Sequence, residues 1–321
     1  MTQKWQIRAD SAVTSGDSIV TGGWIADSGR PAFSILEPRN QTIPVLVSVP
    51  HAGRDYPPSI LENMRDPAYA CLKLEDRYVD RLAEEVVRLT GAAMIVSHAP
   101  RAMLDLNRAR DDVDWGMFSG THGQEGRHSQ SNRRARSGLG LVPRRLPGSG
   151  EIWRKHLSRE DLDARIEGIH RPYHLAASRR LERIRDEWGA ALLLDIHSMP
   201  PLKRSYGQER VPRLVIGDRF GASCHGSLAS RALDYLDVQG WSAAHNRPYS
   251  GGFMLDHHSA PGRGLHAMQL EICRSTYLDG NLNEPGAGLE PMAKLVSGLL
   301  RDLGAETARL GQGGQLAQAA E

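Results

Sequence analysis

Two short apolar segments constrain the fold of this 321-residue chain more than any other feature. Residues 44–49 and 190–196 are apolar on both alternating faces, which is typical of strands that helices cover on both sides of a sheet. Hydrophobic periodicity predicts three further strands and four helices, over residues 92–97, 213–216 and 264–273 and over about 75–90, 159–187, 221–236 and 285–303. Because strands and helices alternate, we expect an α/β fold with a mostly parallel or mixed sheet and helices on both faces.

The length suits roughly two domains or one large α/β domain with insertions. We expect a single α/β domain over residues 43–303, with residues 1–42 as a polar N-terminal extension packed on it. Residues 109–158 form a long Arg- and Gly-rich insertion with little periodicity, which is typical of a functional lid or a mobile segment. The Gly-, Gln- and Ala-rich tail at 304–321 is expected to fray.

The charge composition gives the chain no general attraction to polyanions. Forty Lys and Arg residues against 38 Asp and Glu residues give a net charge of +2, so no long-range field collects nucleic acid. Six arginines cluster in the insertion and are the best argument for a nucleic-acid-binding module: Arg127, Arg133, Arg134, Arg136, Arg144 and Arg145. They lack the interleaved aromatic residues that stack on bases, so we expect no nucleic-acid partner.

Membrane and export signals are also missing from the sequence. No stretch reaches the 18 or so continuous apolar residues of a membrane helix, and residues 1–6 lack the apolar core of a signal peptide. We therefore expect a cytoplasmic protein with no membrane partner. Cys71, Cys224 and Cys273 are odd in number and far apart, which fits neither a disulfide framework nor a zinc knuckle, so buried reduced thiols are expected.

Two histidines follow the two most apolar strands. His51 and His197 each lie just past a predicted strand, at the edge where open α/β sheets build their sites. A single histidine there is commonly a hydrogen-bonded structural residue, but two in equivalent positions favour shared metal ligation. A catalytic zinc takes three protein ligands, commonly two histidines and one carboxylate, and leaves one position open.

The third ligand is predicted to be acidic. Asp76 lies at the start of the helix predicted over 75–90, on the continuation of its apolar stripe, so its carboxylate is expected to point inward. Glu75 is the rival ligand, and a first-turn carboxylate facing the helix dipole is the structural alternative for Asp76. Asp195 shares a strand face with His197 and either orients that histidine or forms a plain buried salt bridge.

The last predicted strand ends in a polar face. Gln269 and Glu271 alternate with apolar residues, so a general base at Glu271 or a strand-end salt bridge both fit. Arg274 and Arg108 are candidate clamps for a substrate carboxylate, with surface ion pairs as the alternative. The glycine pair at 251–252 either lets backbone approach a ligand or forms a simple turn.

Five blocks of the sequence together resemble those of the N-formylglutamate amidohydrolase family. They are PHAG at 50–53, EDRYVD at 75–80, DLNR at 105–108, DIHSMP at 195–200 and LEICRSTY at 270–277. Their order and spacing match, and the similarity runs from about residue 43 to residue 300. The chain departs from the family at Ala52, where serine is more frequent, and at Arg77, where tryptophan is frequent.

The resemblance implies a zinc-exopeptidase-like α/β fold that hydrolyses N-formyl-L-glutamate to formate and L-glutamate in histidine degradation, using one zinc ion. It implies that the zinc ligands are His51, Asp76 and His197. Glu271 resembles the general base of zinc carboxypeptidases. An arginine near the metal would help stabilise the oxyanion, and Arg108 is the candidate for this catalytic role. The resemblance implies that Asn107 and Arg108 bind the substrate carboxylate, and under this interpretation Arg274, Arg101 and Gly252 are further candidates for substrate binding. The alternative is a zinc-dependent deacylase or carboxypeptidase that takes another N-acyl amino acid or a small peptide.

Overall fold

The fold centres on one eight-stranded mixed sheet. The computed structural model describes residues 17–119, 135, 137–146, 148–204 and 211–318. The strands in these ranges are β1 Ser18–Gly22, β2 Phe33–Glu37, β3 Val45–Val49, β4 Ala93–Ser97, β5 Arg145–Leu146, β6 Gly150–Glu151, β7 Ala191–Met199, β8 Leu214–Gly217, β9 Ala243–His245 and β10 Leu265–Cys273. The large sheet has the order β1-β2-β4-β3-β7-β10-β8-β9, and β5 pairs with β6 as a separate hairpin.

The four central strands, β4, β3, β7 and β10, run parallel, whereas β2 pairs antiparallel with β4 and β8 pairs antiparallel with β10. Carboxyl ends of parallel strands meet at one edge of a sheet, so the residues after β3 and near the ends of β7 and β10 gather there. β7 is longer than predicted and includes His197. The register places Glu271 of β10 directly beside His197 of β7.

Helices cover both faces of the sheet, which confirms the predicted fold class. They are α1 Pro58–Asn63, α2 Pro67–Leu74, α3 Val79–Thr90, α4 Arg159–Arg165, α5 Arg171–Trp188, α6 Gly226–Val238, α7 Phe253–His258 and α8 Leu289–Gln318. A π-helical turn over Ile166–His170 joins α4 to α5. The apolar sides of α3, α6 and α8 pack in one core, while α5 and α7 pack in the other. Each central strand therefore contributes side chains to two cores, as its uninterrupted apolar sequence requires.

The N-terminal segment extends the sheet instead of only packing on the domain. Strand β2 pairs with β4, and β1 pairs with β2. Phe33 and Ile35 of β2 are buried in the core that also holds α5. Residues 1–16 lie outside the described ranges.

The described part of the 109–158 insertion is packed, although its sequence lacks periodicity. Met117, Leu141, Trp153 and Leu157 are all buried in the same core as β2. Of the six clustered arginines, Arg127, Arg133, Arg134 and Arg136 lie outside the described residues. The remaining two form ion pairs: Arg144 contacts Asp114 and Glu151, and Arg145 contacts Glu151.

The closing helix continues past the predicted end near residue 303, because α8 runs to Gln318. The expected fraying from residue 304 is therefore wrong for the described part of the tail. Glu306 is buried and accepts hydrogen bonds from Ser227 and Arg309. Gly311 packs so closely on the end of α5 that a Cβ there would lie 2.2 Å from the Trp188 carbonyl oxygen. Tertiary contacts thus hold a segment whose composition suggested fraying.

All three cysteines are free, as predicted, and Cys71 is only partly buried. Among the described residues, the helices are all too short or too polar to cross a membrane.

Candidate metal centre

Three buried side chains converge at the carboxyl edge of the central strands. Asp76 Oδ2 lies 3.0 Å from His197 Nδ1 and 3.6 Å from His51 Nδ1. The two imidazole rings lie 4.7 Å apart between centroids. Each of the three side chains is at most 4% exposed. One donor atom from each can reach a common point, because the three atoms lie within 4.8 Å of one another.

The outer nitrogen of each histidine faces a further carboxylate. His51 Nε2 lies 2.7 Å from Asp105 Oδ1, and His197 Nε2 lies 2.7 Å from Asp195 Oδ2. A carboxylate accepts the Nε2–H and fixes the tautomer, which leaves the Nδ1 lone pair for a ligand. Asp195 therefore contacts His197, as the strand alternation predicted. Sequence reasoning missed the contact of Asp105, which lies within the DLNR block and two residues before Asn107.

The structure separates the two rival carboxylates. Glu75 turns away to pair with Arg77 at 2.8 Å, whereas Asp76 faces both histidines. The helix starts later than predicted, since α3 begins at Val79 and Tyr78 has a left-handed φ of 55°. Asp76 is consequently held in the turn before the helix, where its N–H donates to the His51 carbonyl oxygen at 2.9 Å.

The electrostatic surroundings of the three side chains favour a cation. Burial opposes charge on Asp76, yet the hydrogen bond from His197 and the nearby positive charge of His51 bring its pKa well below the ordinary value. Burial likewise opposes charge on His197, but Asp195 and Asp76 raise its pKa well above the ordinary value. Carboxylates that hold a proton on a buried imidazole also attract a metal ion to the same place.

The donor set fits a divalent transition metal. His51 Nδ1 is buried and has no hydrogen-bond partner among the described residues, which is costly for a polar atom unless something binds it. Two imidazole nitrogens and one carboxylate oxygen are the donors of a catalytic zinc site with an open position. Imidazole and carboxylate donors suit zinc and other divalent transition metals, and Glu75 lies outside the donor set.

The three donors open into a cleft of about 480 Å³. The cationic side chains that line it are Lys73, Arg101, Arg108, Arg219 and Arg274. Such a lining suits an anionic small molecule, because guanidinium groups bind carboxylates through charge-assisted hydrogen bonds. Lys73 and Arg219 are cleft residues that sequence reasoning missed, since both lie outside the recognised blocks.

Glu271 projects into the same cleft from β10. Its Oε1 accepts a hydrogen bond from Gln269 Nε2 at 2.8 Å, so the two share one face as the alternation predicted. Burial raises the pKa of Glu271 to about 7, and the positive charge of His197 opposes that rise. A carboxyl group with this pKa exchanges protons readily near neutral pH, which suits a general acid and base.

Arg101 and Arg108 hold the block that contains Asp105. Arg101 places two nitrogens 2.9 Å from Asp105 Oδ2. Arg108 donates to the carbonyl oxygens of Leu139 and Asn107 at 3.0 and 2.8 Å. Both arginines line the cleft while their guanidinium groups also stabilise its wall.

The guanidinium group of Arg274 is occupied by hydrogen bonds within the protein. It donates to Ser198 Oγ and to the carbonyl oxygens of Leu72 and Glu75, and it approaches Asp76 Oδ1 at 3.5 Å. Its side chain is mostly buried. These contacts hold the 75–76 turn in place, so the geometry favours positioning of Asp76 over direct capture of a substrate.

Gly252 and Asn107 meet at the wall of the cleft. Asn107 Oδ1 accepts the Met254 N–H at 2.9 Å, at the start of α7. A Cβ on Gly252 would lie 2.6 Å from the same oxygen. The glycine pair is therefore more than a simple turn, because Gly252 allows this close approach.

Comparisons with known proteins agree with this geometry. The family model for N-formylglutamate amidohydrolase matches residues 43–278. A protein named N-formylglutamate deformylase from Pseudomonas putida is 29% identical over 81% of this chain and 91% of its own length. A protein of the same name from Pseudomonas aeruginosa is 28% identical over 84% of this chain and 94% of its own length.

A solved structure extends the likeness to the fold. The crystal structure of N-formylglutamate amidohydrolase from Ralstonia eutropha JMP134 superposes with a TM-score of 0.72 and 27% sequence identity. The match covers 89% of this chain and 99% of that one. The resemblance carried by the five sequence blocks is thereby confirmed. This chain belongs to the N-formylglutamate amidohydrolase family and is a hydrolase of linear amide bonds.

Proposed function

We propose that this protein uses a divalent metal to hydrolyse N-formyl amino acids, with N-formyl-L-glutamate as the first candidate substrate. The single observation that carries the proposal is the convergence of His51, Asp76 and His197 on one buried point beside a cationic cleft. The names of the relatives support the substrate. Formate and L-glutamate as products would place the reaction in histidine degradation, in the cytoplasm.

The three donors would hold zinc, which supplies Lewis acidity toward the formyl carbonyl and lowers the pKa of water. Glu271 then acts as the general base and acid. Its Oε takes a proton from the attacking water as the new C–O bond forms, and it returns the proton to the amine nitrogen as the C–N bond breaks.

We assign substrate recognition to the cationic side chains that line the cleft. Arg108 and Arg101 line the cleft beside Asn107, where they can bind the substrate carboxylates and stabilise the developing oxyanion. Asn107 Oδ1 is occupied by the Met254 N–H, so its Nδ2 group remains for a substrate oxygen. Arg274 is assigned chiefly to positioning Asp76, and the predicted substrate contact of Arg274 stays secondary.

The proposal is tested by formate release from N-formyl-L-glutamate. The enzyme is assayed as purified, after chelator treatment, and after zinc is restored, with His197→Ala as the variant that should lose metal and activity together. Zinc-dependent turnover supports the proposal. Turnover that survives verified removal of all metal contradicts the assignment of His51, Asp76 and His197.

A cleft of this volume falls within the range of about 300–1,000 Å³ for small-molecule sites, so larger acyl groups deserve the same assay. N-acetyl-L-glutamate tests the acyl pocket, and N-formyl-L-aspartate tests the spacing of the anion contacts. A preference for either compound over N-formyl-L-glutamate would keep the chemistry and change the substrate.

A further inference from the structure

A second histidine cluster lies beside the cleft. His174 lies on α5, while His257 and His258 end the short helix α7. One ring nitrogen from each lies within 4.8 Å of those of the other two. His174 and His258 are buried, and His257 is exposed. The proposed reaction uses none of these side chains.

The inner nitrogens of the buried pair face each other. His174 Nδ1 lies 3.0 Å from His258 Nε2. Two nitrogens bound to one tetrahedral zinc at its usual bond length lie about 3.3 Å apart. Little movement therefore separates the observed pair from two ligands of a shared metal.

The outer nitrogens have the surroundings of metal-ligating histidines. His258 Nδ1 lies 3.2 Å from Ser178 Oγ. His174 Nε2 is buried without a hydrogen-bond partner among the described residues, and the Leu106 backbone is an acceptor that acts on this ring, where it raises the pKa. Histidines that bind a metal through one nitrogen characteristically offer the other to a hydroxyl, a carbonyl or a carboxylate.

Both buried rings are in the neutral form that binds metals. Burial holds the pKa of His174 well below the ordinary value and lowers that of His258 to about 3. One inner nitrogen now carries the hydrogen that the other accepts, and metal binding requires that hydrogen to move to the outer nitrogen of the same ring. On His258 the resulting Nδ1–H would donate to Ser178 Oγ, so no proton has to leave the protein.

We propose that His174, His257 and His258 form a second metal site, which binds a divalent transition metal such as zinc. Imidazole nitrogens suit zinc, copper and nickel, whereas magnesium and calcium prefer oxygen ligands. The exposed His257 gives the ion a path from solvent, and water can complete the coordination.

The second site would connect two elements of the cleft wall. α7 begins at Phe253, which lines the cleft, and the Phe253 ring stacks on His257 with 4.9 Å between centroids. A metal bound to residues of α5 and α7 would fix this short helix against its neighbour. We therefore expect zinc to raise the Tm of a variant that lacks the first site.

The test is the number of zinc ions that bind to the chelator-stripped full chain, measured by calorimetric titration. The wild-type protein should bind two zinc ions per chain, His51→Ala one, His257→Ala one, and the double variant none. His156→Ala removes an exposed histidine elsewhere and should leave the count at two. His257 is exposed, so we expect its replacement to leave folding intact, and circular dichroism checks this.

The His51→Ala background distinguishes the two sites. Zinc that binds this variant and weakens at least about tenfold on adding His257→Ala supports the second site. Absence of binding to His51→Ala, or binding that His257→Ala leaves unchanged, overturns it. Nitrogen NMR of the stripped His51→Ala protein gives an independent measurement, because zinc should shift His174 Nδ1 and His258 Nε2 but not His156. Failure of the proposed reaction would leave this result unaffected.

Discussion

Asp105 Oδ1 accepts a hydrogen bond from His51 Nε2 across 2.7 Å inside the protein. The same carboxylate is held by Arg101, and its Oδ1 also accepts the N–H of Asn107. One side chain thus orients a candidate metal ligand and the start of the substrate-binding block. We therefore expect a change at Asp105 to act chiefly on metal affinity.

We expect Asp105→Asn to weaken zinc affinity by about 10- to 100-fold, because the amide accepts the His51 N–H less strongly and faces Arg101 with a donor. Zinc affinity is measured by competition with a chromophoric chelator. Asp256→Asn is the control, since Asp256 lines the cleft but pairs with Arg219 and not with a candidate ligand. Equal zinc affinity in the two variants would contradict the role of Asp105.

Glu271→Gln should keep the metal and lose most of the turnover. The amide preserves the size of the side chain but cannot take up a proton from water, so kcat should fall by about 10²- to 10⁴-fold. Metal content and kcat are measured on the same preparation. Near wild-type kcat with metal bound would rule out Glu271 as the general base.

Gly252→Ala should damage substrate binding through Asn107. The added methyl group would lie 2.6 Å from Asn107 Oδ1 and displace the side chain that bonds to Met254 N–H. We expect a raised KM with metal content unchanged. Gly262→Ala is the matched control, because a Cβ at Gly262 meets nothing within 4 Å. A KM shift of equal size in both variants would argue against the contact.

Sequence patterns predicted the sheet well, because its central strands are buried on both faces and need long apolar runs. The alternation in β10 also placed Gln269 and Glu271 correctly on one face. Strands β1 and β2 at one end of the sheet were missed, since the antiparallel pairing of β2 with β4 depends on contacts that are distant in sequence. The length of α8 was missed for a similar reason: the part of the helix just past residue 303 is held by contacts such as Glu306 with Ser227.

The positions of His51 and His197 in the candidate site were predictable, because histidine is a common metal ligand and both residues lie at the carboxyl ends of apolar strands. Sequence reasoning preferred Asp76 and kept Glu75 as the rival, but it placed both at the helix start, whereas the left-handed Tyr78 delays α3 to Val79. The bond from Asp105 to His51 spans 54 positions of sequence, and no local pattern signals it. The cluster of His174, His257 and His258 likewise exists only because α5 and α7 meet.

Glu306 should make stability depend on acid pH. Its hydrogen bonds with Arg309 and Ser227 lower the pKa of Glu306 from 4.5 to about 2 despite burial. A lowered folded-state pKa adds stability above the unfolded pKa, and that stability is lost as pH falls from about 4.5 toward 2. We expect Glu306→Gln to be less stable than wild type by on the order of 2 kcal/mol at pH 6, with the difference shrinking toward pH 2. Urea denaturation at several pH values measures this, and a difference independent of pH would contradict it.

Replacement of Arg274 tests whether this residue positions Asp76 or binds the substrate. Its guanidinium contacts Ser198, the Glu75 carbonyl and Asp76, so Arg274→Met removes the group that holds the 75–76 turn. We expect zinc affinity to fall while KM, measured at saturating zinc, changes little. Arg274→Lys should restore only part of the affinity, because an ammonium group cannot make the same forked set of hydrogen bonds. A KM increase with unchanged zinc affinity would instead make Arg274 a substrate clamp, and Asp76 would then owe its position to the His51 carbonyl, the two imidazoles and Ser198 Oγ.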